Sequence, residues 1–475
     1  MSLFKNLIAG EWVEGLTTTR NINPSNTDDV VGEFVGASAE QATQAVAAAR
    51  AAFPAWSRTT AQVRADILLK AAEELFARRA ELGELLSREE GKTLPEGTGE
   101  VIRASHVMRF FAGEAIRVCG EIYPPVRPNV TVEVTREPVG IVGVITPWNF
   151  PIAIPAWKIG AALAFGNCVV FKPADLTPGC GWALTDILVR AGLPAGVLNL
   201  VMGRGSVVGD PIVDGVDAIT FTGSVPTGRQ IAVRAIGTMT KIQLEMGGKN
   251  PLIVLDDADL DVAVECAVNG SFYSTGQRCT ASSRLVVTEN IHDRFVAAVK
   301  ARLGKVVVGN ALSASTQIGP VVDLKQLESN MRYVDIGKRD GAICFGGERL
   351  SRETPGFYMA PALLEGTTNA MQINREEVFG PVASVIRVKN YDEALAVAND
   401  TMFGLSSGIC TTSLKYAKHF QRNSEAGLVM VNVPTAGLDY HVPFGGRKAS
   451  SYGPREQGSY AVEFFTSVKT SYVNP

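Results

Sequence analysis

The stretch AITFTGSVPTGRQI, residues 218–231, determines the class of fold that this chain adopts. Its first part, Ala218–Thr222, is predicted to be a strand, and a helix is predicted near residues 227–235. Gly223 and Gly228 bracket the turn between them. Backbone N–H groups at such a turn, together with the positive end of the helix, suit a pyrophosphate. The spacing differs from G-x-G-x-x-G, so the turn alone is weak support for a nucleotide site.

Strands and helices alternate on both sides of this turn, which predicts a mostly parallel α/β sheet. The predicted strands are Val139–Thr146, Cys168–Lys172, Val197–Val201, Ala218–Thr222 and Lys241–Glu245. The predicted helices lie near Pro155–Phe165, Thr177–Ala191 and Thr227–Ala235. The alternation restarts from Asn250 to about Pro434, with a helix to Asn269, a strand Leu285–Thr288 and a helix His292–Leu303. No linker rich in serine or proline separates the two units, so we expect them to pack closely around a cleft.

The flanking regions differ in character. Residues 39 to about 117 have a helical pattern that opens on a capping signal, Ser38 with Gln41, and we expect these helices to be scaffold without chemistry. Residues 120–135 contain the alternating run VTVEV and three prolines, which predicts an extended ribbon. The tail, YAVEFFTSVKTSY at 460–472, is also strand-like, so it is a candidate to pair with that ribbon.

Composition excludes several classes of protein. The chain has 475 residues, 46% of them hydrophobic, and a formal net charge of −3, so we expect an ordinary globular protein that binds neither nucleic acid nor membranes. The apolar run at 159–171 is too short to span a bilayer, and the N-terminus lacks the pattern of a secretion signal. Seven scattered cysteines without a CxxC pair fit a reduced cytoplasm, and the four histidines have no metal-ligand spacing, so we predict no metal.

Cys279 lies at the centre of SFYSTGQRCTASSR, residues 271–284. It is surrounded by small and polar residues, and Arg278 stands directly before it. A neighbouring positive charge lowers the pKa of a thiol into the reactive range. A lone cysteine in a loop is more often structural than nucleophilic, so this stretch alone leaves both interpretations open.

Three further motifs favour the nucleophile. They are ITPWNFP at 145–151, LEMGGKNP at 244–251 and EEVFGPV at 376–382, and together with the Cys279 stretch they resemble the aldehyde dehydrogenase superfamily from Asn23 to the C-terminus. The resemblance implies an α/β fold with a Rossmann-type cofactor domain (1–119 and 139–248), a second α/β catalytic domain (249–440) and a β-hairpin oligomerisation element (120–138 and 455–475). It also implies a homo-oligomer, either a tetramer built as a dimer of dimers or a dimer.

The resemblance assigns three catalytic residues. Cys279 is the nucleophile that forms a thiohemiacetal and then a thioester. The side-chain amide of Asn149 and the backbone N–H of the nucleophile stabilise the oxyanion. Glu245, which precedes Cys279 by 34 positions, is the general base that activates water to cleave the thioester.

The resemblance also implies a dinucleotide cofactor, NAD first and NADP possible. Lys172 and Asp175 are similar to the residues that bind the adenosine ribose, and Asp175 stands where NAD-preferring relatives often carry glutamate. Glu377 and Phe379 are similar to the pair that holds the nicotinamide ribose and ring, and Trp148 is expected to pack against the cofactor. The other predicted cofactor residues are Ile145, Thr146, Gly205, Phe221, Gly223 and Ser224.

The predicted substrate is a small aldehyde with a carboxylate at its far end. The loop NVPTAGLDYHVPF at 432–444, with RKASSYGPREQG after it, resembles family members that oxidise α-ketoglutaric semialdehyde (2,5-dioxopentanoate), with succinic or glutaric semialdehyde as alternatives. Arg278 suits a carboxylate because a guanidinium donates two parallel hydrogen bonds, although it equally suits a structural carboxylate nearby. The other predicted substrate residues are Phe150, Trp157, Thr280 and Phe444.

Two other classes of protein remain as alternatives. A cofactor-free cysteine hydrolase would pair Cys279 with a histidine such as His441 or His292. An inactive structural relative would be expected to lack Cys279, Glu245 or Asn149, and the sequence retains all three.

Overall fold

The computed structural model describes residues 3–475, which form four sheets and the helices around them. Residues 1 and 2, with which the predicted cofactor unit begins, lie outside the described residues. The helices, in chain order, are α1 Ala39–Trp56, α2 Ala61–Ala77, α3 Arg79–Glu90, α4 Leu94–Arg117, α5 Ala153–Ala164, α6 Pro178–Arg190, α7 Gly205–Gly215, α8 Val225–Ile236, α9 Leu260–Phe272, α10 Glu289–Leu303, α11 Leu324–Arg339, α12 Gln372–Arg375, α13 Tyr391–Asn399, α14 Leu414–Asn423 and α15 Val462–Phe465.

The strands belong to these four sheets, of which the one formed by β1, β4 and β5 is small and N-terminal. They are β1 Leu3–Phe4, β2 Asn6–Ile8, β3 Glu11–Val13, β4 Thr17–Asn23, β5 Asn26–Gly36, β6 Glu121–Tyr123, β7 Thr131–Pro138, β8 Ile141–Ile145, β9 Cys168–Lys172, β10 Leu198–Leu200, β11 Ala218–Thr222, β12 Lys241–Glu245, β13 Asn250–Val254, β14 Ser282–Thr288, β15 Ile343–Phe345, β16 Ala362–Thr367, β17 Val382–Val388, β18 Ser406–Cys410, β19 Leu428–Val431, β20 Ser451–Tyr452 and β21 Thr466–Val473.

The first large sheet has eight strands in the order β20-β12-β11-β8-β9-β10-β2-β3. Its five central strands are parallel and are those that the sequence predicts. Every residue of β8, β9 and β11 is buried, because helices cover both faces of a parallel sheet. The antiparallel edge strands β2, β3 and β20 were not predicted, and β20 brings the segment after Phe444 against the end of β12.

The second large sheet has seven strands in the order β15-β16-β17-β14-β13-β18-β19. All neighbours except β15 and β16 are parallel, so the predicted second α/β unit is confirmed. Helices α9 and α10 pack through Phe272 and Phe295 into one apolar core, and Phe420 of α14 packs into another.

The predicted pairing of ribbon and tail is confirmed, because β21 runs antiparallel to β7 from Thr466–Pro138 to Val473–Thr131, and β6 extends this sheet to three strands. The prediction of a strand is wrong for residues 460–465, which form a 3₁₀ turn and the short helix α15. Phe464 and Phe465 are both buried in the first core. A strand would point two successive side chains to opposite faces, whereas a helical turn buries both.

None of the helices in residues 3–475 is sufficiently long and apolar to cross a membrane. Over the same residues, no group of three or more His, Cys, Asp or Glu side chains is arranged to hold a metal ion.

The loop that carries Cys279 joins α9 to β14 through a 3₁₀ turn, Tyr273–Gly276. Ser274, Thr275 and Gly276 all have φ near +60°, and this conformation is costly for Thr275 because its side chain is β-branched. The loop is held by the Asn250 side chain, whose Nδ2 donates to the carbonyl of Cys279 at 2.7 Å and to that of Ala281 at 2.9 Å. The position of Cys279 is therefore fixed by the first residue of β13.

Gly276→Ala is expected to destabilise the protein by at least about 2 kcal/mol, because φ is +64° and an added Cβ would lie 2.1 Å from the carbonyl oxygen of Gly380. Gly209→Ala is the matched control, since Gly209 lies in α7 with nothing within 4 Å of an added Cβ. The control should be neutral or stabilising by up to about 1 kcal/mol. Thermal denaturation of both variants tests this, and an unchanged Tm for Gly276→Ala would contradict it.

Candidate active site

A cavity of about 380 Å³ lies between the two large sheets. It brings together two of the three predicted catalytic residues, Cys279 and Glu245. All five predicted substrate residues also line it, namely Phe150, Trp157, Arg278, Thr280 and Phe444. The predicted loop 432–444 contributes Pro434, Ala436, Gly437 and Leu438 to the same wall.

The thiol of Cys279 is harder to ionise than the sequence predicts. Burial raises its pKa to about 12, and the negative charges of Glu377 and Glu245 act in the same direction. The backbone N–H groups of Cys279 and Thr280 oppose this. The prediction that Arg278 lowers this pKa is therefore wrong, because the guanidinium is directed elsewhere and desolvation dominates.

Asn149 is buried beside the cysteine loop. Its side-chain Nδ2 donates to the carbonyl of Gln277 at 3.0 Å, two residues before Cys279. Its own carbonyl accepts a hydrogen bond from Lys92 Nζ, and Lys92 also lies 3.7 Å from the centre of the Phe150 ring. Lys92 thus fixes both the backbone and the neighbour of Asn149.

Glu245 ends β12 and is 2% exposed. Burial raises its pKa well above the ordinary range, and the negative charge of Glu456 raises it further. The hydroxyl of Ser451, in β20, donates to Oε2 of Glu245 at 2.5 Å and opposes the shift. The raised pKa moves the ionisation of this carboxyl towards higher pH, which is the direction in which enzymes tune a buried general base.

Glu456 and Lys158 form an ion pair in which neither side chain is more than 1% exposed. Glu456 Oε2 also accepts from Trp157 Nε1 at 2.7 Å, and Lys158 Nζ donates to Thr220 Oγ1 at 2.7 Å. The pair therefore fastens α5 to β11 and to the segment after β20, and it fixes the ring of Trp157 in the cavity wall.

Arg278 pairs with a structural carboxylate, which was the alternative to a substrate carboxylate in the sequence analysis. Its NH2 lies 3.3 Å from Glu96 Oε1 and donates to Ser274 Oγ at 2.8 Å. Glu96 Oε1 also accepts from the backbone N–H of Ser274, so this carboxylate is occupied by the cysteine loop. A contact between Arg278 and the substrate stays a prediction.

Helix α4 supplies residues that sequence reasoning missed. Its side chains Glu96, Glu100 and Arg103 line the cavity, so the expectation that the N-terminal helices are only scaffold is wrong for α4. Glu100 pairs with Lys92 at 2.8 Å and accepts two backbone N–H groups at the start of α5. Polar residues at helical spacing look like a solvated face, and no sequence signal identified them.

Gln457 was missed as well. It lines the cavity, is 1% exposed, and has φ of +57°. It lies within the motif RKASSYGPREQG, which was singled out for its resemblance rather than for this side chain.

The predicted adenosine residues lie near a second cavity, of about 600 Å³. Asp175 lines it and pairs with Lys172 at 2.8 Å, while Gly203 and Arg204 line the opposite part of the wall before α7 begins at Gly205. Arg204 was not predicted, although it immediately precedes the predicted Gly205.

The remaining predicted cofactor residues lie at strand ends of the first sheet. Ile145 ends β8 and Thr146 follows it, and Thr146 Oγ1 is buried without a hydrogen-bond partner among residues 3–475. Phe221 belongs to β11, Gly223 lies in the turn after it, and Ser224 is the N-cap of α8. An added Cβ at Gly223 would lie 2.5 Å from the ring of Phe221, so only glycine fits this turn without movement.

Glu377, Phe379 and Trp148 form a third group. The rings of Trp148 and Phe379 meet edge to face at 5.4 Å, and Phe379 has φ of +61°. Glu377 Oε1 accepts from the backbone N–H of Gly248 at 2.8 Å, and burial raises its pKa to about 7. Strained backbone at Phe379 is the kind of feature that occurs at ligand sites.

Neither histidine of the hydrolase alternative lines the cavity. His292 Nδ1 lies 2.8 Å from Asp293 Oδ1 and 2.7 Å from a nitrogen of Arg387, and the ring of His441 packs against Tyr440 at 5.4 Å. In the described chain, the titratable groups that share the cavity with Cys279 are carboxyls, a lysine and two arginines. The site can therefore join a thiol nucleophile to a carboxyl base, but not to an imidazole.

Comparison with known proteins confirms the resemblance. A profile of the aldehyde dehydrogenase family matches residues 12–471. The alpha-ketoglutaric semialdehyde dehydrogenase of Bacillus subtilis (strain 168) is 43% identical over 479 aligned positions, covering 99% of this chain and 98% of that protein. The 2,5-dioxopentanoate dehydrogenase of Saccharolobus solfataricus is 40% identical, covering 98% of each chain.

A solved structure of betaine aldehyde dehydrogenase from Staphylococcus aureus in complex with NAD+ superimposes with a TM-score of 0.96 at 35% identity. The alignment covers 99% of this chain and 95% of that chain. Motifs, architecture and site thus agree with these similarities over nearly the whole length, and the chain belongs to the aldehyde dehydrogenase family.

Proposed function

We propose that this protein oxidises a small carboxylate-bearing semialdehyde to the acid through a thioester on Cys279. α-Ketoglutaric semialdehyde is the first candidate, with succinic and glutaric semialdehyde as alternatives. The observation that carries the proposal is the single cavity that holds Cys279, Glu245 and an arginine, Arg103, that lacks a carboxylate partner among the described residues. The similarity to the Bacillus and Saccharolobus enzymes supports the choice of substrate.

A nicotinamide dinucleotide fits the residues on the cofactor side. The 600 Å³ cavity offers the Asp175 carboxylate for ribose hydroxyls and leaves room for an adenosine. Thr146 Oγ1, which has no hydrogen-bond partner among the described residues, is available to a polar group of the cofactor. Glu377, Trp148 and Phe379 would hold the nicotinamide end. When bound, the dinucleotide accepts a hydride from the substrate carbon. We propose NAD, with NADP possible because Asp175 is a shorter carboxylate than glutamate.

Residues of the chain carry out the steps other than hydride transfer. The Cys279 thiol loses its proton to water, and Sγ attacks the aldehyde carbon as the C=O π electrons move to oxygen. The anionic oxygen is stabilised by Asn149 Nδ2 and the backbone N–H of Cys279. After oxidation the carbon is held as a thioester on Sγ. Glu245 then takes a proton from water as the water oxygen attacks the thioester carbon, and the C–S bond breaks to release the acid and restore the thiol.

We also propose the domain boundaries implied by the family: 1–119 with 139–248, 249–440, and 120–138 with 455–475. The two large sheets support the first two units, although β20 joins the first sheet from outside any of them. The sheet of β6, β7 and β21 supports an oligomerisation element of a homotetramer, since Ile122, Val468 and Tyr472 expose apolar surface on it. Seven free cysteines support a location in the cytoplasm.

Cys279→Ala should lower the dehydrogenase rate by at least about 10³-fold, because no other thiol lines the cavity in the described chain. Dinucleotide binding, followed by fluorescence titration, should persist because the thiol and the 600 Å³ cavity lie apart. Cys344→Ala is the matched control, since Cys344 is a partly exposed free thiol on β15. A Cys279→Ala enzyme that retains a tenth of the wild-type rate would refute the assignment.

Glu245→Gln should slow the steady-state rate by about 10²–10⁴-fold while a first-turnover burst of reduced cofactor survives. Because the pKa of Glu245 is raised, its base form appears at higher pH than that of an ordinary glutamate, and the wild-type deacylation rate should rise with pH across that higher range. The variant should lose this rise. Rapid-quench kinetics from pH 6 to 9 tests both points, and equal loss of burst and steady-state rates counts against Glu245 as the base.

The cofactor preference should favour NAD, and kcat/KM measured separately with NAD and NADP tests it. Asp175→Asn should lower the ratio of kcat/KM for NAD to kcat/KM for NADP. It should do so by raising kcat/KM for NADP, because a carboxylate repels the additional phosphate of that cofactor. Asp210→Asn, an exposed acidic residue of α7, is the control. A wild-type preference for NADP of about tenfold or more would overturn the proposal.

A further inference from the structure

Arg103 and Gln457 form a polar pair on the wall of the 380 Å³ cavity. Arg103 projects from the third turn of α4, and it donates one NH1 hydrogen to the carbonyl of Leu438 and one NH2 hydrogen to Gln457 Oε1 at 3.1 Å. A guanidinium has five N–H donors, so the others are without a partner among residues 3–475. The pair is therefore incompletely satisfied in the protein alone.

Arg103 forms no ion pair in the described chain, although Glu100 and Asp439 lie near enough to act on it electrostatically. Lys92 pairs with Glu100, and Arg278 pairs with Glu96. The remaining charged residues of the lining are Arg103 and Glu245, and they form no ion pair with each other in the described chain. Arg103 is therefore the one cation of the cavity lining that forms no ion pair in the described chain. A cation in such a place is stabilised by an anion that enters the cavity.

Gln457 adds a neutral donor beside that charge. Because Arg103 donates to Oε1, the orientation of the amide is determined and Nε2 is the free end. Nε2 is buried and has no hydrogen-bond acceptor in residues 3–475. The backbone of Gln457 is left-handed, with φ of +57°, a costly conformation for a residue other than glycine, asparagine or aspartate. An unpaired buried donor on a strained residue is expensive unless a ligand uses it.

We propose that Arg103 and Gln457 recognise the 2-oxo acid end of the substrate, with the carboxylate on the guanidinium and the 2-oxo oxygen on Gln457 Nε2. This inference rests on the proposed function and names the residues that select the substrate. A 2-oxo acid presents a carboxylate and a ketone oxygen on adjacent carbons, and the linked Arg103 and Gln457 present ionic and neutral donors side by side. A semialdehyde acid without the 2-oxo group, such as 5-oxopentanoate, offers a carboxylate to Arg103 and leaves Gln457 Nε2 without an acceptor.

The test compares three aldehydes of equal chain length: 2,5-dioxopentanoate, 5-oxopentanoate and pentanal. Arg103→Met should lower the kcat/KM ratio of either acid to pentanal by about 10- to 100-fold, because a charge-assisted contact is lost. Arg103→Lys should restore part of this ratio. Gln457→Met should lower only the ratio of 2,5-dioxopentanoate to 5-oxopentanoate, by about 5- to 10-fold. Arg109→Gln, an exposed arginine on the same helix, should change neither ratio.

Binding of the products gives a readout independent of turnover. Isothermal titration of the intact enzyme should show that 2-oxoglutarate binds more tightly than glutarate, and that Gln457→Met removes the difference. If the wild type prefers the acids to pentanal and Arg103→Met has the same kcat/KM ratios, the inference is overturned while the proposed function stays intact. A wild type that prefers pentanal would overturn both. Pentanal turnover by each variant shows that it is folded.

Discussion

The buried carboxylate of Glu456 is the contact on which the rest of the site depends. It is paired with Lys158 and bonded to Trp157, and its backbone forms a two-way bridge with Phe444. Removing one partner of such an ion pair costs about 3–5 kcal/mol, because it leaves an uncompensated charge in the interior. Trp157 and Phe444 are walls of the cavity, and Gln457 is the next residue in the chain. One interaction therefore sets both the shape of the cavity and the place of its free amide donor.

The same burial determines how the reacting groups ionise. Cys279, Glu245 and Glu377 are all acids in a poorly hydrated space, and each has its pKa raised first by desolvation. The two carboxylates also raise the pKa of the thiol, so the three groups compete to hold negative charge. A protonated Glu245 thus favours a reactive thiolate, and an ionised Glu245 favours water activation. In the proposed mechanism, the two halves of the catalytic cycle would therefore use opposite states of this one carboxyl.

The sequence predicted the parallel strands β9, β11 and β12 to the residue, because apolar runs bounded by turn residues identify buried strands. It did not predict the edge strands β2, β3 and β20, which are too short to show a period. Motifs identified Cys279, Glu245 and the aromatic walls of the cavity. They did not indicate that Glu96 would neutralise Arg278, since that contact joins residues 182 positions apart. Long-range pairing of charges depends on packing that no local pattern records.

The charge balance of the cavity also explains how an acid product leaves. The proposed substrate, a semialdehyde with one carboxylate, enters a cavity in which Arg103 forms no ion pair and burial raises the pKa of Glu245. In the proposed reaction, oxidation gives a neutral thioester on Cys279, and only its hydrolysis creates a second carboxylate. The diacid then carries two negative charges against the single unpaired guanidinium of Arg103. Like charges in a poorly hydrated space repel strongly. The reaction therefore converts an attractive cavity into a repulsive one, and release of the diacid follows from the same electrostatics that bound the substrate.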